Sequence, residues 1–232
     1  MLDFHTHILP AMDDGAKDAE ESIKMLALLK SQGVDTVVAS SHYYSGNESP
    51  KSFVHRRNKA VAALRERLIP DLPDIVSGAE VLYFDGMANC AELKLLCIEN
   101  TNTLLLEMPF RKWNERIIDE VISLTSEYDV VLAHIERYFQ FAESSNLSKL
   151  AHNGVSFQIN DTFFDGLFAK KKALKLLDCG ARVVLGSDCH NLTTRAPKMD
   201  AARKNIEKKL GKDTLDEIIA DSYGFINKGA VV

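Results

Sequence analysis

The stretch AEESIKMLALLKSQGVDTVVASSH, Ala19 to His42, decides how the rest of the chain is read. Its first half carries a helical pattern: Ile23, Leu26, Ala27 and Lys30 follow the 3.6-residue period, and Gly33 stands where a helix-ending C′ glycine belongs. Its second half, VDTVVAS (34–40), is a short continuous apolar run, the pattern of a strand covered on both faces. A histidine, His42, follows almost at once. Helix, buried strand and a chemically useful side chain at the strand's end make one unit, and the question is whether the unit repeats.

It does. Apolar runs of strand length occur at 2–4, 34–40, 74–81, 102–108, 129–135, 154–160 and 181–187, and helical patterns are expected at 50–68, 113–127, 166–178, 196–210 and 213–222. Strands alternating with helices imply parallel pairing, because each parallel strand needs a crossover to return. Runs that are apolar throughout have both faces covered, which fits a barrel better than an open sheet. No linker, low-complexity tract or internal repeat divides the 232 residues, so a single domain over 1–232 is expected. Hydrophobic content of 46% with 26% charged residues is ordinary for a globular protein, and a net charge of −5 argues against a nucleic-acid partner. No apolar run approaches the roughly 18 residues of a membrane span. The opening MLDFHTH has neither the basic nor the apolar region of a secretory signal. Cys90, Cys97, Cys179 and Cys189 show neither C-x-x-C spacing nor the density of a disulfide scaffold. The expectation is a reduced, cytoplasmic protein.

In parallel α/β folds the working residues lie at the C-terminal ends of the strands. Here the first strand ends in His5-Thr6-His7, the second in Ser41-His42, the third in Glu80 and the fourth in Glu107; the fifth ends in His134 and the seventh in Asp188-Cys189-His190. Only His55 and His152 among the 7 histidines fall in helical stretches, where a solvent-facing position is expected. Alternation puts His5 and His7 on one face of a strand, so both imidazoles can reach one ion, and Asp188 and His190 repeat the spacing. Imidazole plus carboxylate without thiolate suits zinc, manganese or iron. His5, His7, His42, His134, His190, Glu80, Glu107 and Asp188 are too many for one ion, and Asp13 or Asp14 in ILPAMDDGA adds a further candidate. Two or three divalent ions sharing carboxylates is the economical reading. Such clusters activate water at neutral pH and neutralise phosphoryl oxygens.

One competing pattern must be weighed. Cys189 and Arg195 stand at C-x5-R spacing, that of a thiol phosphatase loop. Such a loop needs a low-pKa thiol cradled by backbone N–H groups, usually through a glycine-containing turn. The intervening HNLTT has no glycine, and Asp188 beside the thiol would raise its pKa by like-charge repulsion. Cys189 is therefore read as a packing residue.

The motifs DFHTHILPAMDDGA, GAEV, LLLEMP, AHIERY and GSDCHNLTTRAP together resemble the PHP (polymerase and histidinol phosphatase) superfamily. Within it they are similar to the bacterial CpsB/YwqE-type protein-tyrosine phosphatases. The resemblance runs from residue 1 to about 200 and implies a distorted (β/α)7 barrel with a trinuclear metal site. It implies that His5, His7, Glu80 and Asp188 hold the first ion, that Glu80 bridges to a second completed by Glu107 and His134, and that Asp14, His42 and His190 hold the third. Arg137 and Arg195 match arginines with which the family grips phosphate, a role suited to the planar guanidinium fork. Without that match, Arg137 would be read as a surface salt bridge to Glu136, and Asp14 as a turn or cap residue before the first helix. The sequence departs from the family at Ser41 and Ile135, where prolines are usual, and in the loop NDTFFDG after the sixth strand.

The activity implied is metal-dependent hydrolysis of phosphotyrosine on a protein, with a bacterial tyrosine autokinase of capsule or exopolysaccharide synthesis as partner and a metal-activated hydroxide as nucleophile. A small-molecule phosphatase of the histidinol-phosphate kind uses the same barrel, and fold does not choose between them. A regulatory binding protein that has lost activity is the reading from another class; the filled ligand positions count against it.

Overall fold

The computed structural model describes residues 1–166 and 168–226. The end of the expected domain, 227–232, and residue 167 within the expected helix 166–178 lie outside the described residues. Helix α1 (Ala19–Ser31) forms where expected, and Asp18 caps it by accepting from Glu21 N at 2.9 Å. Its buried face, however, is Ser22, Met25, Leu26 and Leu29, while Ala27 and Lys30 of the expected stripe are exposed. The other helices are α2 (Pro50–Arg65), α3 (Glu115–Leu124), α4 (Ser144–His152), α5 (Ala169–Asp178), α6 (Met199–Leu210) and α7 (Lys212–Ile226).

The strands are β1 (Leu2–Thr6), β2 (Thr36–Ala39), β3 (His42–Tyr43), β4 (Asp74–Ser77), β5 (Glu80–Leu82), β6 (Thr103–Glu107), β7 (Asp129–Leu132), β8 (Ser156–Asn160) and β9 (Val183–Gly186). All their pairings are parallel, in the orders β1-β2-β4 and β3-β5-β6-β7-β8-β9. The two sheets are one barrel wall. β2 runs into β3, and β4 into β5, across breaks bridged by Gly78 N donating to Ala39 O (2.9 Å) and Glu80 N to Ser41 O (3.0 Å). The far edge closes on the first strand: Asp188 N donates to His5 O at 2.7 Å and His7 N to Cys189 O at 3.0 Å. This is the distorted seven-stranded barrel, with the second and third strands each broken once. The apolar runs 34–40 and 74–81 hide those breaks, because burial continues through Ala39-Ser40-Ser41 and Ser77-Gly78-Ala79.

Inside the barrel, Leu2, Phe4, Val38, Leu105, Val131 and Val184 form an apolar layer. Phe225 of α7 packs edge-on against Phe4 (5.9 Å, 74°), and its carbonyl accepts from Thr103 Oγ1 at the start of β6 (2.8 Å). The N-terminal end of the barrel is therefore stoppered by apolar side chains, which leaves the other end for polar chemistry. This docking carries α7 to Ile226, beyond the expected 222. Helix α4 has no counterpart in the sequence reading beyond the helical assignment of His152. It is a short, mostly polar segment without a side-chain cap, and only Leu147, Leu150 and Ala151 are buried. No described helix is long and apolar enough to cross a membrane, and all four cysteines are free.

Candidate metal centre

The C-terminal end of the barrel gathers the expected ligands, although His42 and Glu80 stand at the start of β3 and β5 rather than at the end of the second and third strands. A register shift in the β1–β2 pairing falls between Asp3 and Thr6, and past it His5 and His7 reach one point, their Nε2 atoms 3.0 Å apart. Glu80 Oε2 lies 3.3 Å from His5 Nε2 and 3.4 Å from His7 Nε2, and Asp188 Oδ1 lies 3.6 and 3.4 Å from the same atoms. His134 Nε2 is 2.8 Å from Glu80 Oε1 and 3.7 Å from Glu107 Oε1. His42 Nδ1 is 2.8 Å from Glu80 Oε2, and its Nε2 is 3.5 Å from Asp14 Oδ1. His190 Nε2 is 3.3 Å from that same Asp14 oxygen. Every expected ligand is brought into one cluster centred on Glu80.

The second layer of contacts tests whether cations fit. His5 Nδ1–H donates to Gln158 Oε1 (3.0 Å), His7 Nδ1–H to Asp13 Oδ2 (2.9 Å) and His190 Nδ1–H to the Asp188 carbonyl (2.9 Å). Each bond fixes the tautomer that leaves the Nε2 lone pair free, the usual arrangement behind a metal-bound imidazole. The lone pairs of His5 and His7 then face each other and two carboxylate oxygens, an array that repels itself unless metal ions or protons fill it. Without metal, burial opposes protonation of both rings, but Glu80 and Asp188 raise the pKa of His5, and Asp13, Asp188 and Glu80 raise that of His7. Glu80 Oε2, His42 Nδ1 and His190 Nε2 are buried and make no hydrogen bond of normal geometry among the described residues, close as Glu80 Oε2 and His42 Nδ1 lie to each other. Buried polar atoms are rarely left so, and a shared cation satisfies them. The donor set fits divalent ions.

Electrostatics point the same way. Burial works against the charge on Glu80, but His5, His134 and His42 outweigh it and hold the carboxyl well below its ordinary range. Burial likewise opposes ionisation of Asp188, and His5, His7 and Arg137 overcome it. Glu107 goes the other way, up to about 7, through burial first and the neighbouring Glu80 second. Like charges crowded in a dry site behave in this manner until a cation separates them.

Local backbone choices make the cluster possible. His134 and Asp188 have φ of 33° and 54°, the left-handed region, which costs non-glycine residues of order 1–3 kcal/mol and concentrates at functional sites. Gly15 lets the Asp13-Asp14 loop fold back over β1: a Cβ there would stand 2.2 Å from the His7 carbonyl oxygen. Asp14 is not a helix cap, a role Asp18 takes; it reaches His42 and His190 from an exposed loop.

Arg137 and Arg195 converge on Asp188 Oδ2, the oxygen turned away from His5 and His7; Arg195 Nη2 donates at 2.8 Å and Asn160 Nδ2 adds a bond at 3.3 Å. Arg137 thus pairs with Asp188 rather than forming a surface bridge to Glu136. The arginines, Asn160, Thr194 and Lys198 line a polar cavity of about 230 Å³ against the cluster.

A profile of the family described as capsular polysaccharide synthesis, CpsB/CapC, matches residues 1–226. The chain belongs to the CpsB/CapC family. It is 32% identical to the tyrosine-protein phosphatase YwqE of Bacillus subtilis (92% of this chain, 86% of that protein). It is 30% identical to the tyrosine-protein phosphatase CpsB of Streptococcus pneumoniae (96% of each). A crystal structure from work on YwqE and CpsB, described as metal-dependent tyrosine phosphatases, matches with a TM-score of 0.81 at 26% identity, over 100% of this chain and 96% of that one. Histidinol phosphate phosphatase of Lactococcus lactis matches at 13% identity and a TM-score of 0.54 (91% and 94%), a likeness of fold alone.

Against the CpsB/CapC pattern, Ser41 and Ile135 are buried and the neighbouring His42 and His134 still reach Glu80. The C-x5-R pattern dissolves: Cys189 is buried and bridged to Thr6, and its thiol is pushed well above its ordinary range. The main cause is burial, followed by Asp3; Asp188, the cause expected from the sequence, is a minor contributor. His55 and His152 are exposed, as expected. The sequence reading missed Gln158, whose Oε1 accepts from both His5 Nδ1 and the His134 backbone N–H (2.7 Å). The sequence offered only a lone glutamine inside an otherwise apolar strand run, which has no motif to assign it.

Proposed function

We propose that this chain is a metal-dependent protein-tyrosine phosphatase, one domain in extent, acting on phosphotyrosine in protein. The carrying observation is the convergence of His5, His7, Glu80 and Asp188, with both arginines on the outer oxygen of Asp188. In this reading His5, His7, Glu80 and Asp188 would hold one ion; Glu80, Glu107 and His134 a second; Asp14, His42 and His190 a third. Divalent ions bound there (manganese, iron or zinc) would supply activation of water at neutral pH and positive charge for phosphate oxygens.

The protein's own groups do the rest. Arg137 and Arg195 present guanidinium N–H groups beside the cluster, where they orient a phosphoryl group and stabilise charge that grows on its oxygens. Asp188 keeps both arginines in place with one oxygen while offering the other to the ligand set. Gln158 and Asp13 hold His5 and His7 in the ligating tautomer. A phenolate with a pKa of about 10 leaves without a dedicated protein acid. The names of the relatives and the capsule-synthesis family support a phosphotyrosine protein of that system as substrate; in our reading it is a tyrosine autokinase, met in the cytoplasm. Turnover of a phosphotyrosine peptide against histidinol phosphate, with elemental analysis of the same sample, tests the reading. Preference for the peptide with bound divalent metal is expected; preference for histidinol phosphate would replace it.

A further inference from the structure

Two exposed aromatic rings stand beside the ligand cluster, and the chemistry above gives neither a task. Tyr44, two residues after His42, is 37% exposed, and its ring lies over the His42 imidazole at 5.3 Å and 21°. Phe110, three residues after Glu107, is 52% exposed and lies nearly parallel to the His134 imidazole at 6.2 Å and 20°. His42 and His134 are the two imidazoles held 2.8 Å from opposite oxygens of Glu80. The two rings therefore rise on either flank of the carboxylate at the centre of the site.

Phe110 is not a ring adrift on a loop. It packs on Tyr138 at 5.1 Å and on Phe141 at 6.3 Å, and Tyr138 in turn packs on Trp113 at 5.3 Å and accepts from Met108 N at 3.1 Å. This buried support fixes one side of the ring and leaves about half of it open to solvent. An apolar surface held rigid at the mouth of a charged site is what a ligand with one polar end and one flat apolar end requires. A phosphoryl group held at the cluster between His42 and His134 would have the two rings that stack on those imidazoles within reach of its ester substituent. A phenyl ring gains stacking and burial there; a short alkyl group gains little.

We propose that Tyr44 and Phe110 form the walls of a subsite for the aromatic ring of the substrate and set a preference for aryl over alkyl phosphate esters. This rests on the phosphotyrosine reading and adds the residues that select the ester's organic part.

The test is calorimetric binding of two non-hydrolysable probes, phenylphosphonate and methylphosphonate, to the metal-loaded protein. The ratio of their dissociation constants is the readout, so a general loss of anion affinity cancels. The wild type is expected to favour the phenyl compound by roughly 3- to 10-fold, the range one aromatic contact supplies. Phe110→Ala and Tyr44→Ala each bring the ratio toward one, Phe110→Tyr keeps it, and Phe168→Ala, at a more exposed ring just before α5, leaves it unchanged. Trp113 fluorescence verifies that the aromatic support is intact. A wild-type ratio near one, or a preference that survives both alanine variants, would overturn the subsite. Phosphotyrosine-peptide turnover by the wild type judges the underlying reading separately: the peptide can be a substrate while the subsite assignment fails.

Discussion

At the scale of single residues, Glu80 and Asp188 carry the most weight, because each offers its two oxygens to different partners. Glu80→Ala removes the carboxylate proposed as a shared ligand, and we expect loss of bound metal with turnover down on the order of 100-fold or more, since the site's charge balance goes with it. His55→Ala, at an exposed helix position, serves as the control and changes neither; equal metal content in the two proteins would contradict the assignment. Arg195→Ala is expected to leave metal in place and raise KM for a phosphotyrosine peptide by roughly 10- to 100-fold, the worth of a charge-assisted bond; unchanged kinetics would return Arg195 to a structural role beside Asp188. Cys189→Ala should retain metal and most activity, and a folded, metal-bound but inactive protein would revive the thiol reading. The residues of this cluster were legible because histidine and carboxylate recurring at strand ends are chemically constrained. Gln158 was not, since an amide in an apolar run has no motif, and its value appears only when β8 sets it against His5 and His134.

At the scale of elements, the strand–helix alternation was legible because buried strands and amphipathic helices differ in period. The breaks at Ser40-Ser41 and Gly78 were not, because burial runs through them while the backbone turns. Their consequence is functional: His42 opens β3 and Glu80 opens β5, so the breaks place the ligands at the start of new short strands rather than at the end of long ones. Helix α4 escaped for a different reason, having few apolar residues and no cap to mark its start. Elements away from the site should be separable from its chemistry. Asp18→Ala removes the α1 cap and is expected to lower unfolding free energy by about 1 kcal/mol in a denaturant titration, with kcat intact. A loss of turnover larger than the loss of stability would show that α1 and the Asp13-Asp14 loop are coupled.

At the scale of the whole molecule, the barrel separates an apolar stopper, where Phe225 meets Phe4, from a polar end where imidazoles and carboxylates crowd together. That crowding costs stability without cations, so metal and folding are linked. Stripping the metal with a chelator is expected to lower Tm, and restoring it to raise Tm in a concentration-dependent way; a Tm indifferent to metal would count against a pre-formed centre. The central claim is that these ligands make a metal centre for phosphotyrosine hydrolysis, and one measurement reaches it directly. Phosphate release from a phosphotyrosine peptide is followed while divalent metal is titrated into chelator-stripped protein, with metal content verified at each point. We predict no turnover in the stripped protein, recovery that saturates at two or three ions per chain, and no sensitivity to thiol alkylation. Full turnover by verified metal-free protein would contradict the account.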